Sequence, residues 1–291
     1  MREPGPPRTP AWLSGLASLA GFARRRLIGE YDVDEFGFDP ELNSALLMPA
    51  ALALYRNWFR VRMRGLENVP DSGAALIVAN HSGVLPVDAV MLQAGIFAEH
   101  PEHRTLRLLG ADLVYSLPVL SSLARRSGHT RADPEQAHRL LTAGELVGVF
   151  PEGFKGIGKP FSERYQLQRF GRGGFARTAV HARVPIVPCA IVGAEEIYPM
   201  IGNSEPLARA LRLPYFPLTP LFPWLGPVGA VPLPSNWMIE FCEPVSGREL
   251  SGSGPLADPD EVVVTKLADQ VRDIIQEKLD SLVAERGPAF G

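Results

Sequence analysis

His81 and Asp88 are the two side chains of this chain best suited to moving a proton. A carboxylate that holds one imidazole nitrogen leaves the other free to act as a base, and these two residues lie seven positions apart. A second acidic residue, Glu152, sits in Phe150-Pro151-Glu152-Gly153. Lys155, Lys159, Arg164, Arg169, Arg172 and Arg177 follow within a short stretch, opposed there by Glu152 and Glu163. Such a cluster attracts an anionic ligand; the competing reading is a solvated basic face. A histidine and an aspartate at this spacing also occur by chance, and on their own they fit a structural pairing.

Short apolar runs must position these groups. Ala74 to Ala79 reads as a buried strand leaving the turn Pro70-Asp71-Ser72-Gly73, which puts His81 at a strand's carboxyl end. Pro86 opens an apolar-periodic stretch through Phe97, with Asp88 in its first turn. Leu146 to Phe150 is a second run, delivering Glu152 into a loop. Val184 to Gly193 is a third, whose prolines suit a strand start or an edge. Further strands are expected at Thr105 to Leu109 and Trp237 to Cys242, alternating with helices at Pro134 to Ala143 and Gly173 to His181, an α/β pattern.

In their order, Asn80-His81 to Asp88, Phe150-Pro151-Glu152-Gly153 and Val184 to Pro188 resemble the glycerophospholipid acyltransferase family, the lysophosphatidic acid acyltransferases and their relatives. The resemblance spans roughly Leu66 to Pro244. It implies a single α/β domain with a central, mostly parallel or mixed sheet flanked by helices. His81 matches the family's catalytic histidine, and Glu152 and Gly153 its glutamate-glycine pair. The family spacing puts the aspartate at position 86, here Pro86, so Asp88 is two residues late. Where the family commonly has an arginine that contacts an acceptor phosphate, this chain has Lys155, which keeps the charge without the bidentate fork. Arg131, in Gly128-His129-Thr130-Arg131, is the candidate cation of the remaining block. A neutral acceptor, mono- or diacylglycerol, therefore rivals lysophosphatidic acid.

The implied reaction is direct transfer. His81 removes a proton from an acceptor hydroxyl as the oxygen attacks an acyl thioester, from acyl-CoA or an acyl-carrier protein as co-substrate, with no cofactor and no metal. Backbone amides at the start of the Pro86 helix would stabilise the oxyanion. Glu152 would bind acceptor hydroxyls or organise its loop, with Lys155 and Arg131 near a headgroup.

A lipid substrate brings the enzyme to a membrane, on the cytoplasmic face as a peripheral or monotopic protein. No run of the ~20 apolar residues that a spanning helix needs is present. Ala11 to Ala23, ended by Arg24-Arg25-Arg26, suits an interfacial anchor and lacks a signal-peptide cleavage site. Ser44 to Tyr55, followed by Arg56, Trp58, Phe59 and Arg60, suits a headgroup boundary; the alternative for both is a helix packed on the domain. No charged residue lies between Arg212 and Glu240, and prolines at 214, 217, 220, 223, 227, 232 and 234 forbid a continuous helix there. That loop is expected to dip into lipid or line an acyl groove. The expected organisation is 1–65 as an N-terminal membrane-associating region, 66–250 as the acyltransferase domain and 251–291 as a C-terminal amphipathic helix and tail, with Asp258 as cap and Pro259 in its first turn.

The rest of the sequence narrows the field. The 291 residues, 46% hydrophobic, suffice for one large core, and a net charge of −3 argues against a nucleic-acid partner. Cys189 and Cys242 lie in apolar contexts and read as buried thiols in a reducing compartment. Gly153 to Pro160 approximates a P-loop, yet Pro160 replaces the hydroxyl that would hold magnesium. Gly171 to Ala176 fits a dinucleotide fingerprint without a convincing strand before it, so its glycines read as close packing at a helix start. His100 and His103 read as surface-loop residues. A P-loop-like phosphate binder and a lipid-binding protein without turnover remain as rivals of another class.

Overall fold

A computed structural model describes residues 21–82, 85–116, 118–171, 173–211, 215–246 and 260–290. The Ala11 to Arg26 anchor falls largely outside these residues, as do Arg172, Asp258 and Pro259.

The fold is a mixed sheet between two layers of helix. Its strands are β1 (Arg62–Arg64), β2 (Ala75–Ala79), β3 (Leu106–Gly110), β4 (His129–Arg131), β5 (Leu146–Val149), β6 (Pro185–Val192), β9 (Met238–Phe241) and β10 (Val245–Ser246), with β7 (Gly202–Asn203) and β8 (Pro217–Leu218) forming a separate hairpin. The order is β1-β9-β6-β2-β5-β3-β4, with β10 also on β6. Neighbours from β6 through β2, β5 and β3 to β4 are parallel, while β9 and β10 run antiparallel to β6. The carboxyl ends of the parallel strands thus share one edge, where α/β sheets place their sites.

Alternation of side chains explains why the apolar runs are nearly unbroken. On β2, Ala75, Ile77 and Ala79 face one helical layer and Leu76 and Val78 the other. On β6, Val187, Cys189 and Ile191 share the first layer, and Ile186, Ala190 and Val192 the second. A strand covered on both faces has no polar side. Both cysteines are free and buried.

Pro188 lies in the middle of this central strand, against the expectation of a start or edge. The ladder explains it. Pairing passes from Phe241↔Cys189 to Val245↔Ile186, so one strand takes four steps where β6 takes three. An extra residue of this kind breaks a ladder as a bulge does, and Pro188 stands opposite the break with its carbonyl accepting from Cys242 N.

The first layer holds the Val87–Glu99 helix and a helical segment over 40–58 that includes two π-helical turns. Met48, Ala51, Tyr55 and then Phe59 are buried there, and Phe59 stacks on Trp237 at 4.8 Å. Phe59 is therefore a core residue and not part of a headgroup boundary. Leu54 and Trp58 face outward. The second layer holds the helices Pro134–Thr142, Gly174–Ala182 and Glu261–Arg286. Leu267, Val271, Ile275, Leu279 and Leu282 of the last helix recur every three or four residues and pack on the sheet. Its cap is Asp260, which accepts from Val262 N at 3.0 Å. Packing crosses the domain limits drawn from the sequence, since β1 from the first region pairs with β9 and the last helix closes the core. Gly173 stands where a Cβ would meet Val264 Cγ1 at 2.9 Å, which is the close packing expected of that glycine run. His100 is buried, with Nε2 3.2 Å from Val69 O, and is not a surface-loop residue.

Candidate active site

The site is built where β2 stops pairing. Asn80 continues the strand with its side chain: Oδ1 accepts from Ile191 N at 2.7 Å and Nδ2 donates to Ile191 O at 2.9 Å. This amide fixes the direction in which the chain leaves the sheet, so His81 comes off a rigid post. Sequence reading gave Asn80 no such task.

Three contacts then set His81. Its Nδ1 lies 2.7 Å from Asp88 Oδ2, its backbone N–H donates to Glu152 Oε1 at 3.0 Å, and its ring lies 4.6 Å from that of Phe150. Asp88 is fully buried and also accepts from Ser82 N and Ala89 N, each at 2.8 Å. A carboxylate already filled with donors takes a donor from imidazole as well, which assigns the proton to Nδ1 and the lone pair to Nε2. Among the described residues Nε2 has no hydrogen-bond partner, and the side chain is 15% exposed. The late position of Asp88 is absorbed by the turn before the helix, and the pairing inferred from sequence is present.

Of the two roles expected of Glu152, the geometry shows the organising of its loop. Its side chain is fully buried, one oxygen on His81 N and the other accepting from Gln168 N at 2.7 Å. It therefore joins the turn after β5 to the turn after β2. Gly153 takes a left-handed φ of 54°, and a Cβ on Gly156 would lie 2.8 Å from Glu152 Cβ and 2.9 Å from His81 O. The second glycine is what lets this turn close on His81.

The cations are redistributed. Lys155 is exposed beside the site, on the short Phe154–Ile157 helix. Arg131 ends β4 at the same sheet edge but three strands from β2, about 14 Å at ~4.8 Å per strand, and its Nε pairs with Asp112 Oδ1 at 3.0 Å. Arg177 pairs with Glu261, and Arg164 lies over Phe161. Lys159 is buried, 3.2 Å from Glu195 Oε1 and 3.6 Å from Glu152 Oε2. Burial pushes the Glu195 carboxyl up to about 7, against the pull of Lys159 and of the Tyr165 N–H. The expected oxyanion donors are mostly committed, because Val87 N donates to Leu85 O and Ala89 N to Asp88 Oδ1.

Sequence reading missed Lys159 and Glu195 as a buried pair. Burial, with a contribution from the charge of Asp88, pushes the hydroxyl of Tyr215, at the start of the proline-rich loop, up to about 12. That loop is tied down by Tyr198 Oη donating to Ala230 O and Trp58 Nε1 donating to Pro232 O, yet Trp224 is 69% and Val228 67% exposed. Leu85 and Val119, on segments following β2 and β3, are exposed at the same sheet edge. No helix of the described residues is long and apolar enough to cross a membrane, and among these residues no group of three or more His, Cys, Asp or Glu could hold a metal ion.

Known proteins resemble the chain throughout. A family model described as Acyltransferase matches residues 60–192, which include His81, Asp88 and Glu152. An uncharacterized protein of Mycobacterium tuberculosis is 55% identical over 276 residues, covering 94% of this chain and 76% of the relative. A bovine protein (Bos taurus) named "DGAT1/2-independent enzyme synthesizing storage lipids" is 26% identical over 226 residues, 77% of this chain and 60% of the relative. The crystal structure of the 1-acyl-sn-glycerophosphate (LPA) acyltransferase PlsC from Thermotoga maritima superposes with a TM-score of 0.54 at 18% identity, over 84% of this chain and 82% of that one, a likeness of fold.

Proposed function

Because the chain belongs to the glycerophospholipid acyltransferase family, as an O-acyltransferase of glycerolipid type, we propose that it moves a fatty acyl group from a thioester to a glycerolipid hydroxyl at a membrane surface, with His81 as general base. The observation that carries this reading is the 2.7 Å contact of His81 Nδ1 with buried Asp88, which leaves Nε2 at the open edge of the sheet. The acceptor hydroxyl gives its proton to Nε2 while its oxygen bonds to the thioester carbonyl carbon. The C–S bond then breaks and the imidazolium returns the proton to the departing thiolate, so no acyl-enzyme forms. A base of this kind supplies about 10²–10⁴-fold; holding the two substrates together supplies much of the remainder. The donor is acyl-CoA or an acyl-carrier protein.

A membrane surface is supported by exposed apolar side chains on the segments that follow β2 and β3, Leu85 and Val119, and on the proline-rich loop, Trp224 and Val228. Exposed apolar groups concentrated around a site mark the side a lipid enters from. The acceptor is the finer question, and the fate of the cations bears on it. Lys159 is buried and Arg177 and Arg131 are paired, whereas Lys155, Arg169 and Arg164, which lies over Phe161, are exposed among the described residues of that cluster. A phosphorylated acceptor is best held by a bidentate fork, and Lys155, in the place of the family's arginine, offers none, so we favour a neutral glyceride. The relatives named for storage-lipid synthesis agree with that preference.

The test is thioester consumption by the purified protein, with labelled acyl-CoA and vesicles carrying lysophosphatidic acid, monoacylglycerol or diacylglycerol in turn. The expected result is transfer by the wild type, fastest to a neutral acceptor, and none by His81→Ala. Full transfer by His81→Ala would contradict the mechanism, and faster transfer to lysophosphatidic acid would reverse the acceptor preference.

A further inference from the structure

The turn that bears Glu152 lies over a cluster of charges that the transfer chemistry does not use. Lys159 has a side chain only 3% exposed, and its Nζ meets Gln166 O at 3.0 Å, Glu195 Oε1 at 3.2 Å and Glu152 Oε2 at 3.6 Å. One ammonium thus serves two buried carboxylates. Each is also held by backbone, Glu152 by the His81 and Gln168 amides and Glu195 by Tyr165 N at 3.1 Å. Beyond Tyr165, Glu196 pairs with Arg286 of the last helix, so those charges neutralise each other.

A buried ion cluster seldom adds stability over an apolar packing of the same shape, so its value here is sought in geometry. Glu152 holds two amides, one on each oxygen, and an ionised carboxylate accepts both best. Without a neighbouring cation a buried carboxylate favours its protonated form, and an oxygen that carries the proton is a poorer acceptor. The segment Asn80–Ser82 is fixed on either side of His81, through Ile191 and Asp88. Release of the His81 amide is therefore felt by the imidazole.

Resting on the acyl-transfer reading above, we infer that Lys159 is a positioning residue for His81: its ammonium, anchored by Glu195, keeps Glu152 in the form that holds the His81 backbone. Lys159 touches neither substrate nor reacting atoms; it acts two contacts away, through Glu152. This also gives the run of lysines and arginines after Phe-Pro-Glu-Gly two distinct tasks, an inward one for Lys159 and an outward one for Lys155.

Lys159→Met alone leaves two buried carboxylates without a counter-ion and endangers the fold, so the decisive comparison is Lys159→Met/Glu195→Gln against Glu195→Gln. Four quantities are measured on each protein: kcat and KM for acyl-CoA across pH, the thermal midpoint, and amide hydrogen exchange of the peptide spanning residues 80–88. Relative to Glu195→Gln, the double variant should lose roughly 10–100-fold in kcat, as expected of a slightly misplaced base, with KM changed less than about threefold. Its kcat should become more sensitive to acid pH, and the 80–88 peptide should exchange faster. A double variant that matches Glu195→Gln in rate, pH profile and exchange overturns the inference. So does one that fails to fold where Glu195→Gln folds, since Lys159 would then hold the whole structure and not this turn. Wild type without any thioester turnover, but with the exchange response intact, overturns the transferase reading and leaves the Lys159 assignment standing.

Discussion

Asp88→Asn is the sharpest test of the base. In the folded protein Asp88 accepts from His81 Nδ1 at 2.7 Å, Ser82 N at 2.8 Å and Ala89 N at 2.8 Å. An asparagine keeps one oxygen and replaces the other with an amide donor, which cannot accept from Ser82 N and Nδ1. Two outcomes follow from the geometry. With the oxygen toward Ala89, the new NH₂ faces Nδ1 and favours the tautomer with the proton on Nε2, where a base is useless. With the oxygen toward Nδ1, the tautomer is kept, but the amide donor meets Ala89 N and the imidazolium formed in the step loses its counter-charge. In either case one buried donor loses its acceptor, at a cost of about 1–3 kcal/mol. The rate effect is larger. A base worth about 10²–10⁴-fold corresponds to about 2.7–5.4 kcal/mol of barrier, and the wrong tautomer forfeits most of it. The assay is steady-state release of free thiol from acyl-CoA in the presence of acceptor vesicles, with the thermal midpoint followed in parallel. The expected variant is folded, only moderately destabilised, and at least about a hundredfold slower in kcat. A folded Asp88→Asn protein within tenfold of wild type would refute the tautomer argument.

Other predictions follow from the same neighbourhood. Gly156→Ala should cost about 1–3 kcal/mol through its contacts with Glu152 Cβ and His81 O, and should lower kcat more than the thermal midpoint suggests; equal activity per folded molecule would show that the turn has slack. The Glu195 carboxyl is raised by burial to about 7 from its ordinary 4.5. The folded state thus holds a proton that the unfolded chain has lost, so this stabilisation is full below about pH 4.5 and gone above about pH 7. At ~1.36 kcal/mol per unit, wild type should lose about 3 kcal/mol over that window relative to Glu195→Gln, read as converging urea midpoints; a pH-independent difference would contradict it. Trp224→Ser/Val228→Ser should weaken sedimentation with anionic vesicles at least about tenfold, since each buried apolar side chain is worth ~1.5 kcal/mol or more. Its turnover of a short-chain, water-dissolved acyl-CoA with a soluble acceptor should be unchanged, and vesicle binding equal to wild type would remove the loop from the lipid-facing edge.

Much of the scaffold was legible because a strand covered on both faces must be apolar throughout. Ala75–Ala79, Leu146–Val149 and Pro185–Val192 could be seen as short uninterrupted runs for that reason. The His81–Asp88 pair was legible as chemistry, and the fold supplied its geometry. Three residues were only partly legible, for identifiable causes. Glu152 was open between a substrate ligand and an organiser of its loop, because the backbone amides of His81 and Gln168 that it holds carry no signature in the sequence. Lys159 sits among exposed cations, and no periodicity within an irregular turn distinguishes the one that points inward. Arg131 was chosen as the cation of the Gly128-His129-Thr130-Arg131 block, whereas its place is fixed by the order of strands β2-β5-β3-β4, a long-range pairing that local sequence does not encode. Pro188 was a fair argument against a central strand, overturned by the break where β9 gives way to β10.

Gln276 on the last helix donates to Tyr165 O and accepts from Leu167 N, both at 2.9 Å, next to the Gln168 amide that braces Glu152. The residues around the reacting imidazole are therefore clasped by a segment more than a hundred positions downstream. While the polypeptide emerges from the ribosome, the histidine turn is complete in covalent terms long before its brace exists. On the proposed reading, a chain whose Glu261–Arg286 helix has not docked lacks this brace beside its base.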